Sequence, residues 1–106
     1  MDEVIKKIAA LGIPGIILTV AIATSGFTAA LAAIGPGGII LGIATLGVAG
    51  LLAHAFAEFG TEKVIIAVVK EQLKTKSRTQ IIYEIEKYPI TKGLKLKIID
   101  KIKKVS

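Results

Sequence analysis

His54 is the only histidine in the chain, and Glu58 follows four residues later, so the two share a helix face. An imidazole beside a carboxylate can take up and release a proton, and ionisable groups near a membrane span are often functional. The pair is the candidate proton site. A plainer account also fits: both residues end an apolar segment, where Glu58 meets water. Little else can do chemistry. Cysteine is absent, which removes thiolate nucleophiles, thiolate metal ligands and disulfides together. One histidine without cysteine builds no metal centre, and there is neither an HExxH motif nor an aspartate-rich loop. The glycine turn at Gly35, Pro36, Gly37 and Gly38 lacks the Gly-Lys-Ser/Thr ending and the preceding strand of a phosphate loop. Hydroxyls in the apolar half have no base nearby. No enzyme activity, cofactor, metal or small-molecule substrate is expected.

The second group with a use is a set of lysines near the C-terminus. Leu94, Ile98, Ile102 and Val105 mark one face of a last helix, and Lys92, Lys95, Lys97, Lys101, Lys103 and Lys104 occupy the rest. They are the candidate contacts to anionic lipid headgroups, worth about 1 kcal/mol per lysine near the surface. A solvated face is the alternative. Nucleic acid fits less well: Arg78 is the only arginine, and lysine lacks the bidentate fork that reads guanine. Only Tyr83 and Tyr88 lie where they could stack on bases, so phosphate-level attraction is all that remains.

These groups sit on two contrasting stretches. From Ile8 to Ala57 there is no Asp, Glu, Lys or Arg, whereas an average soluble stretch of that length carries about 12. From Thr61 onward, twelve Lys/Arg face five Asp/Glu, a net +7 within a chain of net +6. The chain is 53% apolar but 5% aromatic, with 11 Gly and no Trp. This asymmetry points to an anionic membrane surface or a nucleic acid as partner. The chain therefore divides at about residue 60, into a hydrophobic hairpin (1–60) and a basic amphipathic module (61–106).

A spanning helix needs about 20 apolar residues to cross roughly 30 Å of hydrocarbon. The charge-free run holds two, at about 14–34 and 39–59, reversed by Gly35–Gly38, where Pro36 cannot continue a helix. Pro14 stands near a helix start, where a missing N–H costs little. Lys6 and Lys7 precede the first span, Lys63, Lys70, Lys74 and Lys76 follow the second, and the turn carries none. The positive-inside rule then places both termini in the cytoplasm. Insertion is marginal: eight strongly apolar residues give roughly −4 kcal/mol, which Thr19, Thr24, Ser25, Gly26 and Thr28 erode. Marginal spans gain from partners, and small residues at four-residue spacing allow close approach. Ser25, Ala29 and Ala33 form one such face, Ala49, Ala53 and Ala57 another, and Gly38 and Gly42 a third. Self-association into a homo-oligomer is expected. Two other accounts stand beside this one: a secretory signal ending near Ala21-Ile22-Ala23, and the buried core of a helical bundle.

The basic stretch reads as three short helices. Thr61 is a candidate cap for the first, with Val64, Ile65, Val68 and Val69 stacked at helical spacing. Ser77 and Gln80 form a capping box ahead of Ile81, Ile82 and Ile85, and Pro89 stops that helix by Tyr88. Thr91 caps the last. The fold class is all-α.

Gly12-Ile13-Pro14, Ser25-Gly26-Phe27-Thr28, Ala33-Ile34-Gly35-Pro36-Gly37-Gly38 and Gly60 before a Lys-rich helix resemble the enterocin-type circular bacteriocins. Gly26 to Gly50 is also similar to the glycine-rich membrane segment of the small interferon-inducible proteins. Each resemblance covers about half the chain, and the tail from about Ser77 has no counterpart in the bacteriocins. The resemblances imply a compact, saposin-like helical protein that engages or perturbs a membrane, and carry over no catalytic residue. The expected function is a self-associating, membrane-perturbing effector of toxin or defence type. The alternatives are a membrane-anchored scaffold recruiting a partner through 61–106, and a soluble helical oligomer binding anionic polymers. The expected location is a membrane, or a secreted form that inserts into one.

Overall fold

Every position from Gly15 to Ala21 is buried. At 100° per residue these positions pass right round a helix, so this stretch has no wet side. The structure is a computed structural model that describes the backbone of residues 2–34 and 44–105, with side chains at 2–26, 47 and 50–105. The described elements are all α-helices: α1 Asp2–Ala9, α2 Ile13–Ile34, α3 Ala44–Phe59, α4 Thr61–Leu73, α5 Arg78–Lys87 and α6 Lys92–Lys104. The chain is all-α. The turn at Gly35, Pro36, Gly37 and Gly38, and Gly42 with it, lie outside the described residues.

Helix α2 packs against each of the other five. Ile13, Ile16, Ile17, Leu18, Val20 and Ala21 join one apolar cluster with Ile5 and Ile8 of α1, Leu52 and Ala55 of α3, and Val64, Ile65, Val68 and Val69 of α4. Ile81 and Ile85 of α5, with Leu94, Ile98 and Ile102 of α6, complete it. The cluster thus draws on both stretches, 1–60 and 61–106. The buried Thr19 keeps its hydroxyl satisfied within its own helix: Thr19 Oγ1 donates to the Gly15 carbonyl at 2.7 Å. Thr24 does the same to Val20 at 2.8 Å.

α1 is an element the sequence reading did not place. Its acidic first turn (Asp2, Glu3) and basic last turn (Lys6, Lys7) suit the helix dipole, and Val4, Ile5 and Ile8 turn inward. It ends at Ala9, and the turn that follows closes on Gly12, whose φ of +74° is open to glycine at little cost. The chain then bends by 118° into α2. The corner is tight: a Cβ on Gly15 would stand 2.2 Å from the Ile8 carbonyl oxygen. Only glycine allows that approach.

A side chain from far along the chain completes the corner. Gln72, buried on α4, donates from Nε2 to the Ala9 carbonyl at 2.7 Å and to the Gly12 carbonyl at 2.9 Å. These carbonyls stand at the end of α1 and just past it; each also accepts a backbone N–H, Ala9 from Gly12 at 2.9 Å and Gly12 from Gly15 at 3.0 Å, so Gln72 fills a second lone pair on each.

Gly26 interrupts α2, with φ 76° and ψ 171°. The expected continuous span over 14–34 is therefore broken, because a residue at positive φ takes the backbone out of the helical ladder. The turns before Gly26, Ile13–Ser25, rise about 20 Å against roughly 30 Å of hydrocarbon. Among the described residues no single helix is long and apolar enough to cross a membrane, although α1 with Ile13–Gly26 passes as a bent pair by length and composition.

The basic stretch follows its sequence signals. Ser77 Oγ accepts from the Gln80 N–H at 3.1 Å, and Thr91 Oγ1 from the Leu94 N–H at 3.3 Å. α5 ends at Lys87, just ahead of the Tyr88–Pro89 step. Thr61 departs from its expected role. It is the first residue of α4, and Gly60 (φ 88°) holds the cap position with no side-chain hydrogen bond.

Candidate functional site

The six lysines assigned to anionic headgroups do not form one uniform patch, because the fold commits three of them to the protein itself. Lys101 Nζ lies 2.6 Å from Glu62 Oε1, tying α6 to α4. Lys104 pairs with Asp100 at 3.1 Å along its own helix. Lys95 Nζ donates to the Glu86 carbonyl at 2.7 Å, in the last turn of α5, where the helix dipole favours a cation. Lys92, Lys97 and Lys103 are exposed and make no hydrogen bond or ion pair among the described residues. Leu96 stands with them, 59% exposed, the most exposed large apolar side chain described.

The neighbouring α5 carries an exposed aromatic ring of its own. Tyr83 is 56% exposed, and Lys87 Nζ stands 4.2 Å from its ring centroid, a cation–π contact. Tyr88 is half-buried. Burial first, then the Glu84 carboxylate, pushes its phenol above the ordinary value near 10, with Lys76 opposing. An open depression of about 360 Å³ is lined by Glu84, Lys87, Tyr88 and Pro89. Arg78 is used structurally: its guanidinium donates to the Val105 carbonyl just beyond the end of α6.

The candidate proton pair is brought together on the outside of the molecule. His54 Nε2 and Glu58 Oε2 are 3.3 Å apart on α3, with side chains 75% and 55% exposed. Water solvates both groups, and no cluster of three or more potential metal ligands forms among the described residues. Of the small-residue faces, Ala53 and Ala57 are exposed on α3, and Ser25 is half-buried on α2. The side chains of Ala29, Ala33 and Ala49, and the residues Gly38 and Gly42, lie outside the described residues.

Gln72 is the functional-looking polar residue that sequence reasoning missed. Its register held the signal: it continues the Ile65, Val68, Val69 face of α4, where an apolar residue is the norm. Comparison with protein-family models, with curated proteins and with solved structures returned no match.

Proposed function

We propose that this chain is a small helical membrane-associated protein that self-associates and perturbs membrane permeability, an effector of toxin or defence type. One observation carries the reading: the buried turns of α2, Gly15–Ala21, belong to a charge-free run and are covered by helices that turn lysines outward. A helix with no charged group exchanges a protein interior for hydrocarbon without desolvating an ion, and the Thr19 and Thr24 hydroxyls are already satisfied by carbonyls of their own helix. The amphipathic cover can in turn lie at the headgroup boundary, apolar side down. In this reading the fold is the resting form, and the lipid takes over from the cover. The exposed Ala53 and Ala57 support self-association, since small residues let helices approach closely in lipid.

Dye release from anionic vesicles tests the proposal. Leakage that rises steeply with protein-to-lipid ratio is the expected result. Vesicles that stay sealed at every ratio remove the permeabilising claim.

A further inference from the structure

Helix α6 has a second stripe besides the one facing the core. Lys92, Leu96, Ile99 and Lys103 follow one another at intervals of four, three and four residues, and fall within about 60° of arc at 100° per residue. The stripe is rotated about 130° from the buried Leu94, Ile98 and Ile102. Its ends are exposed ammonium groups free of partners among the described residues, and its middle is the exposed Leu96 beside the half-buried Ile99. The nearest carboxylate on the helix, Asp100, is neutralised by Lys104 at 3.1 Å.

We infer that this stripe is the face by which the folded protein docks on an anionic lipid surface, with Leu96 entering the headgroup boundary and Lys92 and Lys103 holding the phosphates on either side. The inference rests on the membrane reading above and names the surface that acts first. The two lysines are about 16 Å apart along the axis, so the helix lies flat on the bilayer and does not cross it. Lysine stems reach several ångströms to the headgroups while an apolar neighbour sinks, the arrangement of interfacial helices. On α5, packed beside α6, exposed Tyr83 under Lys87 offers the same pairing of an amphipathic ring and an ammonium.

Charge complementarity selects this occupant over others. A second copy of the stripe, laid parallel or antiparallel, sets lysine against lysine at both ends. A nucleic acid would satisfy the lysines and leave Leu96 facing phosphate.

The chain has no tryptophan, so Leu96→Trp places a single reporter on the stripe of the full-length protein. Emission should shift to the blue with phosphatidylglycerol-containing vesicles, stay unchanged with pure phosphatidylcholine, and revert at high salt. Adding Lys92→Gln and Lys103→Gln should raise the lipid needed by about thirty-fold. The exposed pair Lys63→Gln and Lys70→Gln on α4 should cost much less. The docking face is overturned by an absent shift, by equal weakening from the two lysine pairs, or by a response to RNA or DNA in place of vesicles. Leakage from the same vesicles is read separately. A blue shift without leakage keeps the docking face and removes permeabilisation, whereas leakage unaffected by the Lys92/Lys103 pair does the reverse.

Discussion

The first turns of α2 and the whole of α6 are both rich in isoleucine and leucine, yet they are dry in different ways. Residues Gly15 to Ala21 are covered on every side, whereas α6 is buried along Leu94, Ile98 and Ile102 and half-buried or exposed elsewhere. In α6 the charge pattern declares the dry face. In α2 no face is declared, because uniform burial erases the period. The comparison teaches that a charge-free run reports the absence of water around it, and that its neighbours decide which medium excludes the water.

A buried charge breaks that contrast most severely. Ile16→Asp places an unpaired carboxylate where the relative exposure is 0%, at a cost of about 3–5 kcal/mol, a large share of the 5–15 kcal/mol usual for a domain. Leu96→Asp, on the open side of α6, should stay within about 0.5 kcal/mol. Urea midpoints measure both, and equal losses at the two positions would erase the distinction.

A smaller effect sharpens it at the level of one methyl group. Gly15→Ala forces a Cβ against the Ile8 carbonyl oxygen and should cost about 1–3 kcal/mol. Gly47→Ala, on α3, where a Cβ would meet no atom within 4 Å beyond its own helix backbone among the described residues, should stabilise by about 0.5–1 kcal/mol through helix propensity. Opposite shifts in melting temperature are the expected outcome, and shifts of the same sign contradict the packing at the corner.

The smallest effect is electrostatic and belongs to the cover. The folded state holds the Tyr88 proton more tightly than the unfolded chain does, through burial and Glu84. That contribution is complete below pH 10 and is lost as pH rises through the folded-state value. With Tyr83→Phe, Tyr88 is the sole tyrosine. Its absorbance midpoint should lie above 10 in the native protein and fall back in denaturant, and a native midpoint at or below 10 contradicts the environment described.

Legibility in the sequence followed how local each cause was. α4, α5 and α6, with the caps at Ser77 and Thr91 and the stop before Pro89, rest on neighbours within a few residues, so their patterns could be read directly. α1 was readable in principle, but Lys6 and Lys7 read as flanking charges and drew attention from Ile5 and Ile8. The surroundings of α2 were not readable, because Leu94 and Ile102 lie some eighty positions from Ile16 and no local period announces them. Among the site residues, the lysines were visible as a set. Their division into Lys95, Lys101 and Lys104, which have partners within the protein, and Lys92, Lys97 and Lys103, which have none among the described residues, needed the partners Glu86, Glu62 and Asp100 in space.

The clasp of Gln72 on the Ala9 and Gly12 carbonyls has a consequence for biosynthesis. The oily turns from Gly15 to Ala21 leave the ribosome well before Gln72, and before the isoleucines of α5 and α6 that will enclose them. At about 5–20 residues per second, the stretch from Ala21 to Val105 takes roughly 4–17 s to translate. Through that interval the nascent chain shows this apolar segment bare, and factors that bind such segments meet it before the fold exists to hide it.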